Sequence, residues 1–246
     1  MRAVGRGALL LLLLGACALT APVRAHDLIT AEAAERYLAQ AQQDLATIQS
    51  REPAERRAEA NVALGRMLDE IGELLNRDIA SHGKVQGLPS HYLIAQLQGK
   101  GAPLAFARGR YLAHVAYYRE ALKLAPDAPS ASEATLRWMR GTFYDSFDED
   151  PLEVRRQSPE QLREQIALGE RFVQRYPSHP DIEEAQFIVL VQYVRGARAA
   201  ADSTSRDAFS SKAREAAQAF AARYPDSMRR AAVPVLMEQL PVAKGR

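Results

Sequence analysis

The chain has 246 residues, 47% of them hydrophobic, with 32 Lys and Arg against 30 Asp and Glu. That length suffices for one large domain or an elongated repeat array, and the near balance of charge excludes the strongly basic footprint of a nucleic-acid binder. The single cysteine, Cys17, excludes an internal disulfide, so the fold must be held by its own core.

Residues 1–25 read as a secretory signal. Arg2 and Arg6 supply a positive start, Ala8 to Leu14 an apolar run, and Val23-Arg24-Ala25 a small-residue site before His26-Asp27. The apolar run is shorter than the ~20 residues a bilayer crossing needs. Cleavage between Ala25 and His26 removes three arginines and leaves 29 basic against 30 acidic residues, a net charge of −1. The sequence pI of 8.7 is therefore partly a property of the leader. A second reading of the same leader is open. Leu14-Gly15-Ala16-Cys17 resembles a lipobox, in which the cysteine becomes an acylated first residue. Several acyl chains would then tether the protein durably, where one chain binds only marginally. The expected location is the periplasm, free or tethered to the outer membrane, with membrane contact only through a lipid on Cys17.

Beyond the leader the chain is rich in Ala, Leu, Glu, Gln and Arg, which favours helix. No segment alternates well enough to predict a strand. Thr30 is placed to cap a helix to Ser50, with Ala34, Leu38, Ala41, Leu45 and Ile48 on one face. Pro53 fits the first turn of a second helix to His82, whose apolar stripe is Val62, Leu64, Leu68, Ile71, Leu75 and Ile79. These two form an antiparallel hairpin. Residues 83–89 break the pattern, and Ser90 caps a short helix to Gln98. Gly99 to Pro103 break it again. Further helices are expected over 104–124, 130–147, 158–176, 181–200, 206–224 and 228–240. Ser158-Pro159-Glu160-Gln161 reads as a capping box with proline at the first helical position. The acidic stretch Asp148-Glu149-Asp150-Pro151 ends the helix before it. With Asp145 it lacks the alternating ligands and central glycine of a calcium loop, so it reads as solvated.

The second half repeats itself. Pro126, Pro129, Glu133 and Ala134 recur as Pro177, Pro180, Glu184 and Ala185, an offset of 51. A weaker copy at Pro225 and Ala232 follows the second by 48 at its proline. Ala121, Phe172 and Phe220 each stand five residues before the first proline. Proline ends one helix, and a small alanine on the next lets neighbours approach closely. One helical pair cannot bury both of its faces, so stacked pairs are needed to close a core.

Tyr117 to Pro126 resembles the second helix of a tetratricopeptide repeat, with its aromatic, small residue and proline in order. Phe172 to Pro177 and Phe220 to Pro225 resemble the variant found in exported tetratricopeptide lipoproteins of Gram-negative bacteria, the group that includes a lipoprotein component of the outer-membrane β-barrel assembly machinery. The resemblance spans about residues 104–240. It implies an all-α fold in which antiparallel helix pairs stack as a right-handed solenoid. An atypical N-terminal hairpin and short helix over 26–103 would precede repeats over 104–246. The period departs from the usual ~34 residues, and the first-helix Trp-Leu-Gly-Tyr pattern is missing.

Chemistry is sparse. Asp78 and His82 lie one turn apart, and His91 follows across a Gly/Pro loop. The three could assemble a His/carboxylate metal site, or simply finish a helix with a favourable histidine. His26, if N-terminal, could chelate copper only with a second histidine. Arg137, Trp138, Arg140 and Tyr144 share a helix and are residue types that dominate interaction hot spots, although Trp138 also suits a core anchor. No nucleophile–base pairing or phosphate loop stands in its required context. The expectation is a scaffold or adaptor without enzymatic activity or cofactor, binding envelope proteins or peptides. A metal- or small-ligand-binding periplasmic protein, or an accessory subunit of an envelope enzyme, is the alternative.

Overall fold

The computed structural model describes residues 29–145 and 158–241. Cys17, Ala25, His26 and the acidic stretch 148–150 lie outside the described residues. The described chain is mostly helical and falls into two compact units, divided at 145/146. The helix pair carrying the first proline turn packs with the N-terminal hairpin in one unit, and the later copies belong to the other. Among the described residues no helix is long and apolar enough to cross a membrane.

In the first unit α1 (Ala31–Gln49) starts where Thr30 accepts the N–H of Ala33 at 3.1 Å. The longer α2 (Ala54–His82) runs back along it and stops at Gly83, whose φ of +75° is the left-handed conformation glycine adopts without strain. α3 (Leu88–Gly99) begins two residues earlier than Ser90, on the uncapped Gly87. Ser90 is a buried residue of its first turn. The core lies between these helices: Leu38 and Ala41 of α1, Leu64, Leu68, Ile71 and Leu75 of α2, Leu93 and Leu97 of α3.

The predicted helix over 104–124 is half wrong. Residues 106–111 form an antiparallel hairpin, β1 (Phe106–Ala107) and β2 (Arg110–Tyr111), and only α4 (Val115–Leu124) is helical. Its turn places Arg108 and Gly109 at φ +56° and +75°. Asn76 of α2 holds Tyr111 extended: its Oδ1 accepts the Tyr111 N–H at 2.7 Å and its Nδ2 donates to the Tyr111 carbonyl at 2.8 Å. α5 (Ala131–Asp145) completes the unit, packed against α4. A Cβ on Gly141 of α5 would stand 2.6 Å from Val115 Cγ1, so the Ala113 and Val115 side chains pack onto a glycine.

The second unit is built from α6 (Pro159–Arg175), α7 (Ile182–Ala199) and α8 (Ser203–Arg223), followed by a 3₁₀ turn (Met228–Ala232) and α9 (Val233–Glu238). The capping box of Ser158 and Gln161 forms, at 3.1 and 2.9 Å. α8 starts three residues before expectation, because Asp202 accepts the Ser205 N–H at 2.7 Å. α7 is the central helix. Every residue from Phe187 to Ala197 is buried, the pattern of a helix covered on all sides. Phe187 meets Phe220, and Phe209 covers Gly196, so α7 and α8 run antiparallel.

The three proline turns share one hydrogen-bond ladder. Ala125, Tyr176 and Tyr224 end their helices by donating to Ala121, Phe172 and Phe220, each at 2.9 Å. Three residues on, Ala128, His179 and Ser227 donate back to those end residues. Three further on, Ala131, Ile182 and Arg230 donate in turn to Ala128, His179 and Ser227. Ala121, Phe172 and Phe220 are buried, as are Ala134, Ala185 and Ala232 on the following helices. The spacing read in the sequence is thus a repeated local structure.

Candidate functional site

Ionisable groups concentrate in two places in the first unit. The first is interior. α2 carries a stripe of Gly65, Asp69, Gly72 and Asn76, spaced by four, three and four residues, on which residues 111–118 lie. Asp69 is its centre. Its Oδ1 accepts the backbone N–H of His114 at 2.7 Å and lies 3.2 Å from His114 Nδ1. Its Oδ2 accepts the Tyr118 hydroxyl at 2.5 Å and lies 3.9 Å from Arg137. Burial first, and then the Asp69 charge, push the Tyr118 hydroxyl well above the usual tyrosine range. His114 Nε2 accepts the Ala105 N–H at 3.2 Å, which leaves Nδ1 as the ring donor that faces Asp69. The pair looks like the base and orienting acid of a hydrolase. Its free lone pair is nevertheless taken by backbone, so it fastens the irregular segment 105–114 to α2.

Arg137 belongs to this interior. Its Nε donates to Glu133 at 2.9 Å, and Glu133 also meets Arg66 of α2 at 3.5 Å. Trp138 is half-buried against the cluster of Ala58, Val62, Tyr118 and Ala121, with the Arg119 guanidinium 5.3 Å from its ring. Tyr144 sets its ring edge to Phe143, and its carbonyl accepts from Arg110 at 3.0 Å. Arg140 is half-buried and engaged. The four residues read as a hot-spot set are therefore half-buried, with Arg137 and Trp138 at work inside the unit.

The second place is a cleft of about 520 Å³ at the end of α2, lined by Ile79, Lys84, Val85, His91, Phe106 and Tyr111 with the glycine-bearing turns between them. Asp78 and His82 stand beside it. Asp78 Oδ1 lies 2.9 Å from His82 Nδ1, and Asp78 Oδ2 accepts the Gln86 N–H, which shapes the loop 83–87. The structure brings Asp78 and His82 together and puts His91 on the cleft wall. Among the described residues no group of three His, Cys, Asp or Glu is disposed to hold a metal ion.

Residues 79–119 contain no Asp or Glu, although at the chain's average composition about five would be expected there. They contain Lys84, Lys100, Arg108, Arg110 and Arg119. No motif marks this stretch; a running charge count along the chain does. Comparison with protein-family models, curated proteins and solved structures found no match.

Proposed function

We propose that this chain is an exported, non-enzymatic scaffold of the bacterial cell envelope, whose helix pairs bind other polypeptides. The observation that carries this reading is the thrice-repeated turn. One hydrogen-bond ladder recurs at spacings of 51 and 48 residues, each time burying an aromatic or alanine before the turn and an alanine after it. Reuse of one helix–turn–helix unit is how repeat proteins make extended surfaces for polypeptides. The resemblance to exported tetratricopeptide lipoproteins agrees with it, and on that analogy the pairs would stack as a solenoid. The occupied lone pair of His114 also removes the nearest thing to a general base from solvent use.

The test has two parts. Mass spectrometry of the mature N-terminus distinguishes a start at His26 from an acylated start at Cys17. The mature protein is then used to capture partners from envelope extract, and each captured polypeptide is purified and rebound. A saturable complex of defined stoichiometry, with Kd near ~1 μM or tighter, is expected. Failure of every purified polypeptide to rebind, together with stoichiometric metal or a co-purifying small molecule, would overturn the reading.

A further inference from the structure

Four large apolar side chains are exposed in the described residues: Leu88, Tyr92, Phe106 and Met228. Three of them fall inside the acid-free stretch. Leu88 is 85% exposed, Phe106 56% and Tyr92 46%. Leu88 and Tyr92 lie one turn apart on α3, each next in sequence to a residue lining the cleft, Gly87 and His91. Phe106 lines the cleft itself. Lys84 and His91 are its only ionisable lining residues besides Tyr111, and both are exposed. The carboxylate of Asp78 is held by His82 and the Gln86 N–H.

Buried hydrophobic anchors in a groove would suit a peptide. Here the apolar side chains protrude, around a cleft lined by Lys84 and His91. Protruding leucine and aromatics beside lysine, with the one neighbouring carboxylate, Asp78, held by His82 and the Gln86 N–H, is the chemistry of an interfacial membrane contact. We propose that this face of residues 79–111 docks on an anionic phospholipid surface. Leu88, Tyr92 and Phe106 enter the interfacial layer, and Lys84 and His91 meet headgroup phosphates. The contact is made by the folded surface, is independent of any lipid on Cys17, and goes beyond the scaffold reading.

The experiment uses the chain from His26 onward, which retains every described residue and lacks the apolar leader. It is sedimented with vesicles of phosphatidylcholine alone or with about 30% phosphatidylglycerol, a typical anionic surface. Binding to the anionic vesicles should be about tenfold tighter or more, and should weaken as salt rises. Lys84→Glu should weaken it by roughly fivefold for each of the two units of charge changed. The double variant L88S/F106S should abolish it, with a small loss in the thermal melt from the Phe106 ring that meets Tyr111 at 4.8 Å. Independently, Leu88→Trp should shift its emission to the blue with anionic vesicles only, which keeps the test valid if the double variant melts early. Equal binding to neutral vesicles, no binding to either, or unchanged binding of the variants would overturn the proposal. So would saturable capture of an acidic peptide at this face without vesicle binding, which would make it a protein interface.

Discussion

The two compact units solve the same problem differently. In the first, an irregular segment crosses a helix, and its backbone donors and acceptors are met by side chains of that helix: Asp69 for His114, Asn76 for Tyr111. In the second, no irregular segment intrudes among the described residues, and α7 buries nearly its whole length, the engaged Arg195 included. There the polar Gln192 is fully buried with neither its Oε1 nor its Nε2 partnered. Buried polar groups are tolerable when every bond is made and costly when one is missing. The first unit obeys that rule along this crossing, and the second violates it at Gln192.

Asp69→Ala should give the largest effect, because it strips the acceptor from His114 and Tyr118 together. Removing one member of a buried network of this kind costs about 3–5 kcal/mol. Thermal unfolding should show that loss in the first unit, while Asp69→Asn, which retains an acceptor, loses less. Asn76→Ala leaves the Tyr111 N–H without its partner and should cost about 1–3 kcal/mol in the same melt. Gln192→Leu is the opposite experiment. It removes two unsatisfied polar atoms at similar volume and should stabilise the second unit by roughly 1 kcal/mol, read as a raised midpoint in denaturant. A loss there would mean that the comparison is wrong. Lys212→Ala breaks a 2.8 Å pair with Glu170 between two half-exposed groups, and should change stability by less than about 1 kcal/mol.

A pH titration reads both units spectroscopically. Burial, and after it the Glu70 hydrogen bond, raise the Tyr37 hydroxyl to about 12. Tyr193 in the second unit moves upward for the same first reason, with Glu170 adding to it. A folded pKa above the unfolded one stabilises the protein fully below the unfolded value near ~10, and that stability is lost as pH rises through the folded value. Absorbance of tyrosinate should therefore show late-titrating tyrosines and falling stability between pH ~10 and ~12. Tyr37→Phe should remove one late tyrosine. A single titration at the ordinary tyrosine value would contradict the burial of both.

Much of the fold was legible in the sequence because its signals are local. Thr30 and the Ser158 box cap their helices as read, and the proline repeat marks three equivalent turns. The segment 104–114 was misread for a physical reason. Its helical composition is overridden by partners 35 to 45 residues upstream, Asn76 and Asp69, that no local window sees. The local trace was the Arg108-Gly109 pair, whose left-handed geometry makes a hairpin turn. On α2 the apolar stripe was read and the Gly65–Asp69–Gly72–Asn76 stripe beside it was not, since hydrophobicity alone passes over small and polar positions. Asp78 and His82 were found as a pair because they are one helical turn apart. The cleft beside them depends on the hairpin, and so was not visible.

The Asp69 clamp also imposes an order on how the chain can be made. The donors it awaits lie 45 and 49 residues downstream. A chain emerging from its N-terminus can bring α1 and α2 together early. The glycine-and-carboxylate groove of α2 stays open until residue 118 has appeared. Throughout that interval the nascent protein displays an empty berth for its own later segment. Anything that holds the chain there during synthesis must release the berth by the time residue 118 arrives.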